Sequence, residues 1–331
     1  MINILQIGFG PLGIQIGNYI AQKSTIKTVV GVDIKSEFIG KRLANLDSNL
    51  SSDTFIFSSV KDALDSLSMK PDVAIITTVS SLEKLIPQIE EVAKFGISVI
   101  STCEELAYSW ELQPKLSYYL DKICKENNIA CLGTGVNPGF LMDYLPSVLT
   151  SISKEIEHIT VERIQDATPR RIPFQKKIGA GLTLEEFKKK EATGTLRHVG
   201  LQESVYLLAN SIGLKLDNVT ESLEPVIAEK AVSSSAIKVE KGEARGVEQI
   251  AYGYKNGVSK IKMHFKAALG EQKSFDKVTI IGVPNFSSEI EGGINGDIAT
   301  CAITINCINS ILKAPPGLQT MATIAVPGFI N

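Results

Sequence analysis

The chain has 331 residues, 44% hydrophobic and 21% charged, and 34 Lys+Arg against 36 Asp+Glu leave a formal charge of −2. With a mean hydropathy of +0.11 and a pI near 6.0, this composition excludes a disordered chain and argues against nucleic-acid or acidic-membrane partners. The length suits two domains with a substantial core.

The chain opens Met1-Ile2-Asn3-Ile4 without a basic segment ahead of an apolar run, so no secretory leader is expected. No stretch reaches the ~18 apolar residues of a membrane span. Five cysteines (Cys103, Cys124, Cys131, Cys301 and Cys307) include no C-x-x-C pair, which predicts reduced thiols and a cytoplasmic protein. His158, His198 and His264 lie far apart, and no metal site is expected.

Short apolar runs predict strands over Ile2–Ile7, Thr28–Val32, Asp72–Thr77, Ser98–Ser101 and Ala130–Leu132. Amphipathic stretches over Leu12–Ala21, Leu82–Phe95 and Gln113–Glu126 predict the intervening helices. Near-continuous apolar strands alternating with helices predict a parallel sheet covered on both faces, a doubly wound α/β domain. From about Leu145 the texture changes. Glu155–Ile164 and Lys260–Leu269 alternate with period two, Val278–Val283 is apolar, and helical segments run through Leu184–Glu191 and Val199–Ser211. An α+β substrate domain with a mainly antiparallel sheet follows from that order. Asp297–Leu312 reads as one apolar helix ended by Pro315-Pro316-Gly317. The expected organisation is a Rossmann-type dinucleotide-binding domain over 1–144, a substrate and oligomerisation domain over 145–296, and a helix and tail over 297–331 returning toward the first.

Gly8-Phe9-Gly10-Pro11-Leu12-Gly13 follows the first strand and opens the first helix. In that context G-x-G-x-x-G gives a tight turn, room for a pyrophosphate and close helix–strand packing, with the helix N-terminus facing the phosphates. Asp33 closes the second strand, where a carboxylate accepts from ribose hydroxyls; this favours NAD, while Lys35 leaves NADP possible. An ordinary turn aspartate is the plainer alternative. Thr77 and Thr78 end the third strand, either to meet the cofactor or simply as β-formers.

Ser101-Thr102-Cys103-Glu104-Glu105 ends another parallel strand, where doubly wound folds place ligands. Thr102 and Cys103 are candidate cofactor contacts. Glu104 or Glu105 can act as a general base beside a nicotinamide, or both can be acids at a helix N-terminus. Gly133-Thr134-Gly135-Val136-Asn137-Pro138-Gly139 implies close backbone approach, and Asn137, Pro138 and Gly139 are candidate cofactor contacts. Asn137 offers both a donor and an acceptor to cofactor or substrate. Arg170-Arg171 and Lys176-Lys177 bracket a Pro-containing loop; an arginine fork or Lys176 there can hold a substrate carboxylate, or the loop is merely solvated. His198 is a further substrate candidate.

These stretches, together with Arg197-His198-Val199-Gly200 and Gly292-Gly293-Ile294-Asn295-Gly296-Asp297-Ile298-Ala299-Thr300, resemble in order the 2,4-diaminopentanoate dehydrogenases. That family falls in the dihydrodipicolinate reductase-like group, which includes native amine dehydrogenases, and the resemblance spans nearly the whole chain. It implies an NAD(P)-dependent oxidative deamination of the C4 amine of 2,4-diaminopentanoate, a step in ornithine breakdown, and a homodimer. It also implies that Glu104 is the glutamate beside the nicotinamide, with Glu105 in reserve. Dihydrodipicolinate reductases proper carry a His-His segment and a lysine where this chain has Asp166-Ala167-Thr168-Pro169-Arg170-Arg171, so reduction of that cyclic substrate is not expected. Two other readings compete: a dehydrogenase of another amine or imine, and a dinucleotide-binding sensor without turnover.

Overall fold

The computed structural model describes residues 1–331 except Thr195, Arg197 and His198. In chain order the first elements are β1 (Ile2–Ile7), α1 (Pro11–Ala21), β2 (Ile26–Val32), β3 (Ile56–Phe57), α2 (Val60–Asp65), β4 (Val73–Ile76), α3 (Leu82–Ala93), β5 (Ser98–Ser101), α4 (Pro114–Glu126) and β6 (Ala130–Gly133). There follow α5 (Tyr144–Leu149), β7 (Glu155–Asp166), α6 (Ile172–Lys177), α7 (Leu184–Ala192), α8 (Leu201–Ser211), β8 (Asn218–Ile227), β9 (Val232–Ser233) and β10 (Lys238–Val239). The remainder is β11 (Ala244–Lys255), β12 (Val258–Ala268), β13 (Phe275–Val283), β14 (Phe286–Glu291), α9 (Gly296–Asn306), α10 (Ile308–Ile311) and β15 (Gly317–Gln319). Two compact units result: Met1–Phe140 with Gly296–Asn331, and Leu141–Asn295.

The first unit is built on a seven-stranded sheet ordered β15-β6-β5-β4-β1-β2-β3, parallel at every pairing. Strand β4, Val73–Ile76, is buried at all four positions because helices cover both faces. Helix α3 buries Leu82, Leu85, Ile86, Ile89 and Val92, the i, i+3, i+4, i+7 stripe expected of a helix lying on a sheet. These side chains pack with Leu5, Ile7, Ala74, Ile76 and Val99 in one core. Strand order reverses between β1 and β4, so the carboxyl ends of those strands open the crevice in which doubly wound folds bind their ligands. The apolar run expected as one helix over 297–312 is interrupted at Cys307, and Asn306 at the break accepts the Ile330 N–H at 3.0 Å.

The second unit carries a six-stranded sheet ordered β14-β13-β7-β12-β11-β8. Only the β7–β12 pairing is parallel. One face buries Ile159, Val161, Val247, Ala251, Ile261, Met263 and Phe265 together with Val205 and Leu208 of α8. Helix α8 starts at Leu201, two residues later than expected, because Gly200 takes a left-handed φ of +108° at its N-cap.

Arg163 on β7 and Asp276 on β13 form an ion pair whose side chains are 3% and 6% exposed. Burial pushes the guanidinium below its usual pKa, and Asp276 opposes that shift. The pair also pins the segment that ends the unit: Arg163 donates to the Ile294 carbonyl at 2.9 Å, and Asp276 accepts the Ile294 N–H at 2.8 Å. Asp276→Ala should therefore leave a buried unpaired cation and destabilise the protein by about 3–5 kcal/mol, read by urea unfolding. A change below about 1 kcal/mol would show the pair to be dispensable.

Candidate active site

Five loops bearing the sequence-selected residues of the first unit leave the carboxyl ends of β1, β2, β4, β5 and β6, five of the seven strands of one parallel sheet. The structure thereby brings Gly8–Gly13, Asp33, Thr77–Thr78, Thr102–Glu105 and Asn137–Gly139 to a single edge.

The β1–α1 turn is the tightest part. Gly8 takes φ +94°, and a Cβ on Gly13 would stand 2.1 Å from the Gly8 carbonyl oxygen and 2.8 Å from Thr77 Oγ1. Gly10 differs: a Cβ there would meet nothing within 4 Å, so space lies open over the turn. Inside the sheet, buried Gln6 donates its amide to the Gly13 carbonyl at 2.6 Å and fixes the start of α1. No side chain caps α1, whose N-cap is Gly10 and whose first residue is Pro11. The backbone N–H groups of its first turn and the positive end of the helix dipole are thus left without a side-chain cap, the setting that suits an anion.

Asp33 is buried, and its two oxygens accept the N–H groups of Phe9 at 2.7 Å and Lys35 at 2.9 Å. This is what a turn aspartate does, while the carboxylate retains lone pairs for further donors. Thr77 donates its hydroxyl to the Gly8 carbonyl at 2.9 Å, tying β4 to the turn, and Thr78 donates to Gln88 at 2.8 Å.

After β5 the chain makes a short 3₁₀ turn, Glu104–Leu106. Thr102 and Glu104 are half-buried, whereas Cys103 is buried and its thiol is pushed up to about 12, chiefly by burial. Glu105 has a structural engagement: its Oε2 accepts the Leu82 N–H at 2.8 Å and the Gln113 Nε2–H at 2.9 Å.

Asn137 carries the clearest ligand signature. It is 6% exposed, and neither its Oδ1 nor its Nδ2 meets a hydrogen-bond partner among the described residues. A buried amide left unpaired costs on the order of 1–3 kcal/mol for each group, so a carboxamide kept here is poised for an added donor and acceptor. The Asn137–Pro138 peptide is cis, and a Cβ on Gly139 would stand 2.5 Å from the Gly135 nitrogen. Thr300 of α9 holds this loop by accepting the Val136 N–H at 3.2 Å. No sequence pattern points to Thr300 or Gln113: Thr300 ends the Gly292–Thr300 stretch, but its partner is 164 residues away.

The substrate candidates Arg170, Arg171 and Lys176 belong to the second unit, at the β7–α6 turn and in α6. Arg170 stacks on Phe174 with its guanidinium carbon 4.0 Å from the ring centre. Buried Gln175 shapes the loop by donating to the carbonyls of Thr168 at 3.1 Å and Arg170 at 2.8 Å, an anchor that sequence alone did not single out. His198 lies outside the described residues.

A nicotinamide dinucleotide fits the first unit: Gly10 leaves room, α1 offers an uncapped N-terminus, and Asn137 has an unpaired buried amide. A doubly wound sheet with such a turn at its switch point is the arrangement of dinucleotide-binding proteins. The comparisons narrow the class. Residues 140–331 match the 2,4-diaminopentanoate dehydrogenase C-terminal domain family. Over 99% of its length the chain is 32% identical to the 2,4-diaminopentanoate dehydrogenase of Acetoanaerobium sticklandii, covering 95% of that protein. The chain belongs to the 2,4-diaminopentanoate dehydrogenase family, and so is an NAD(P)-dependent dehydrogenase of amines. Its fold is shared with an amine dehydrogenase from Mycobacterium smegmatis (TM-score 0.86, 20% identity, 99% of this chain and 97% of that one). It is shared more distantly with a dihydrodipicolinate reductase from Paenisporosarcina sp. TG-14 (TM-score 0.54, 12% identity, 98% and 100% coverage).

All five cysteines are buried and none is joined in a disulfide, with Cys103 and Cys307 both pushed up to about 12 mainly by desolvation. A raised thiol pKa keeps the unreactive protonated form well above neutrality. Iodoacetamide at pH 8 should thus label none of the five in the folded protein and all five in denaturant; rapid labelling of native Cys103 would contradict this. Asn137→Leu removes the unpaired amide, so the thermal midpoint of the ligand-free protein should hold or rise while turnover falls about ten-fold, the value of one or two lost hydrogen bonds. Unchanged turnover would show that Asn137 meets no ligand.

Proposed function

We propose that the protein oxidatively deaminates the C4 amine of 2,4-diaminopentanoate, giving 2-amino-4-oxopentanoate and ammonia in the breakdown of ornithine, with NAD as the preferred cofactor. The observation that carries this reading is the 32% identity, over almost the entire length of both chains, to a protein of that name. The sensor reading loses ground to it. A dehydrogenase of another amine differs in substrate alone and is separated by assay.

The dinucleotide, when bound, supplies the hydride acceptor. Gly8, Phe9, Gly10, Pro11, Leu12 and Gly13 would hold its pyrophosphate, Asp33 its ribose, and Thr77, Thr78, Thr102, Cys103, Asn137, Pro138 and Gly139 the nicotinamide side. Buried Asp33 presents a carboxylate where a 2′-phosphate would bring like charge, which supports NAD; Lys35 and Arg42 are the cations nearby in sequence that NADP would need.

Glu104 acts as the base. The amine must be neutral before hydride leaves the carbon that bears it, and Glu104 accepts that proton. Glu104 releases that proton to solvent; loss of hydride leaves an iminium carbon, and water adds to it as one of its protons passes to Glu104. Glu104 returns this proton to the nitrogen, and collapse of the adduct breaks the C–N bond, the departing ammonia taking the hydroxyl proton to leave ketone and ammonium. Asn137 orients its ligand through one donor and one acceptor. Arg170 and Arg171 pair with the substrate carboxylate, with Lys176 and His198 as further polar contacts, His198 on the sequence alone. We infer a cytoplasmic homodimer, supported by five cysteines of which none is joined in a disulfide and by the open face of the six-stranded sheet, where half-buried Glu162, His264, Lys262 and Tyr252 lie.

The test is reduction of NAD or NADP monitored across 2,4-diaminopentanoate, simple amines and other amino acids. The reading expects 2,4-diaminopentanoate with NAD to give the highest kcat/KM; preference for another amine reassigns the substrate, and no reduction with any amine restores the sensor. Glu104→Gln should lower kcat on the order of 10²–10⁴-fold with NAD affinity nearly intact. Retained activity would place the base elsewhere.

A further inference from the structure

Two adjacent carboxylates, Glu104 and Glu105, lie in the turn that follows β5, and their surroundings differ. On a 3₁₀ turn, with three residues per revolution, successive side chains leave the axis about 120° apart, so Glu104 and Glu105 cannot share one direction. Glu105 reaches across to the start of α3. Ser81 at that N-cap makes no side-chain cap, and Glu105 Oε2 satisfies one of the helix's unbonded donors by accepting the Leu82 N–H at 2.8 Å. The same oxygen accepts from Gln113, the N-cap residue of α4, at 2.9 Å, while the Glu105 N–H donates to the Ser80 carbonyl at 3.4 Å. One residue therefore joins the β5 turn to the loop after β4 and to the heads of two helices.

The turn is also seated from the other side. A Cβ on Gly133, at the end of β6, would stand 2.5 Å from the Leu106 carbonyl carbon and 2.6 Å from the Ala107 nitrogen, so β6 lies directly against this backbone. Leu106 is buried, and its N–H donates to the Cys103 carbonyl at 3.1 Å. With Gly133 against the backbone and Glu105 tied to α3 and α4, rotation of the turn requires breaking the Glu105 bonds. We propose that Glu105 is a positioning residue, not a base: its carboxylate fixes the orientation of the turn and hence of Glu104 for proton transfer. This rests on Glu104 being the base.

The experiment measures kcat and KM with NAD and 2,4-diaminopentanoate for Glu105→Ala, Glu105→Gln, Glu104→Gln and the double variant Glu104→Gln/Glu105→Ala. A glutamine carboxamide oxygen has two lone pairs and can accept from both Leu82 and Gln113, whereas it cannot take a proton as a base. The expectation is a loss of about ten-fold or more in kcat for Glu105→Ala, little change in KM for NAD, and rescue to within about three-fold of the unaltered enzyme by Glu105→Gln. In the Glu104→Gln background, Glu105→Ala should cost no more than about two-fold, because the group it positions is already gone. Gln113→Ala removes one donor and should reduce kcat by about three-fold; it serves as the readout if Glu105→Ala fails to fold. Glu105→Gln as inactive as Glu105→Ala, or a full further loss in the double variant, would overturn the proposal while Glu104→Gln remains inactive. Activity retained in Glu104→Gln would overturn the base assignment itself, and the positioning role with it.

Discussion

The site depends on how closely the first turn approaches the sheet. At Gly13 the helix backbone meets the Gly8 carbonyl so tightly that a single added carbon would sit 2.1 Å from it, and Thr77, the residue after β4, donates its hydroxyl to that same carbonyl. Because β1 and β4 flank the reversal in strand order, this contact sets the floor of the crevice. Gln6 anchors α1 from inside the sheet and Asp33 anchors Phe9 from the neighbouring strand. The polar groups spent here keep backbone in place, leaving the space over Gly10 and the uncapped α1 terminus for an anionic ligand.

The other loops repeat that division between anchoring and exposure. Glu105 is anchored beside half-buried Glu104. Thr300 holds Val136 next to Asn137, whose amide is unpaired. In the second unit Gln175 ties down the carbonyls around Arg170, whose guanidinium stacks on Phe174. Preorganisation of this kind means the side chains offered to ligands lose little freedom on binding, since neighbouring residues have already fixed their backbones.

Strands buried on both faces were legible in the sequence because their apolar runs are continuous, as in Val73–Ile76. Strand β8 was not: Asn218–Ile227 holds two glutamates and Pro225, poor β-formers tolerated because the strand lies at the sheet edge. Glycines at 246 and 253 hid β11, where their missing side chains admit Ala268 and Leu216. The three-residue β15 is too short for any periodicity. At the site, loop positions followed from strand ends, but the division of labour between Glu104 and Glu105 did not. It depends on contacts with Leu82 and Gln113, which are 23 and 8 residues away in the chain.

The central claim is that hydride leaves the carbon that bears the amine. The most direct measurement uses 2,4-diaminopentanoate deuterated at C4 with NAD, followed by mass spectrometry of the reduced dinucleotide and assay of ammonia. The account predicts one deuterium carried by each reduced dinucleotide and one ammonia released with it. Reduced dinucleotide without deuterium, or its formation without ammonia, would contradict it.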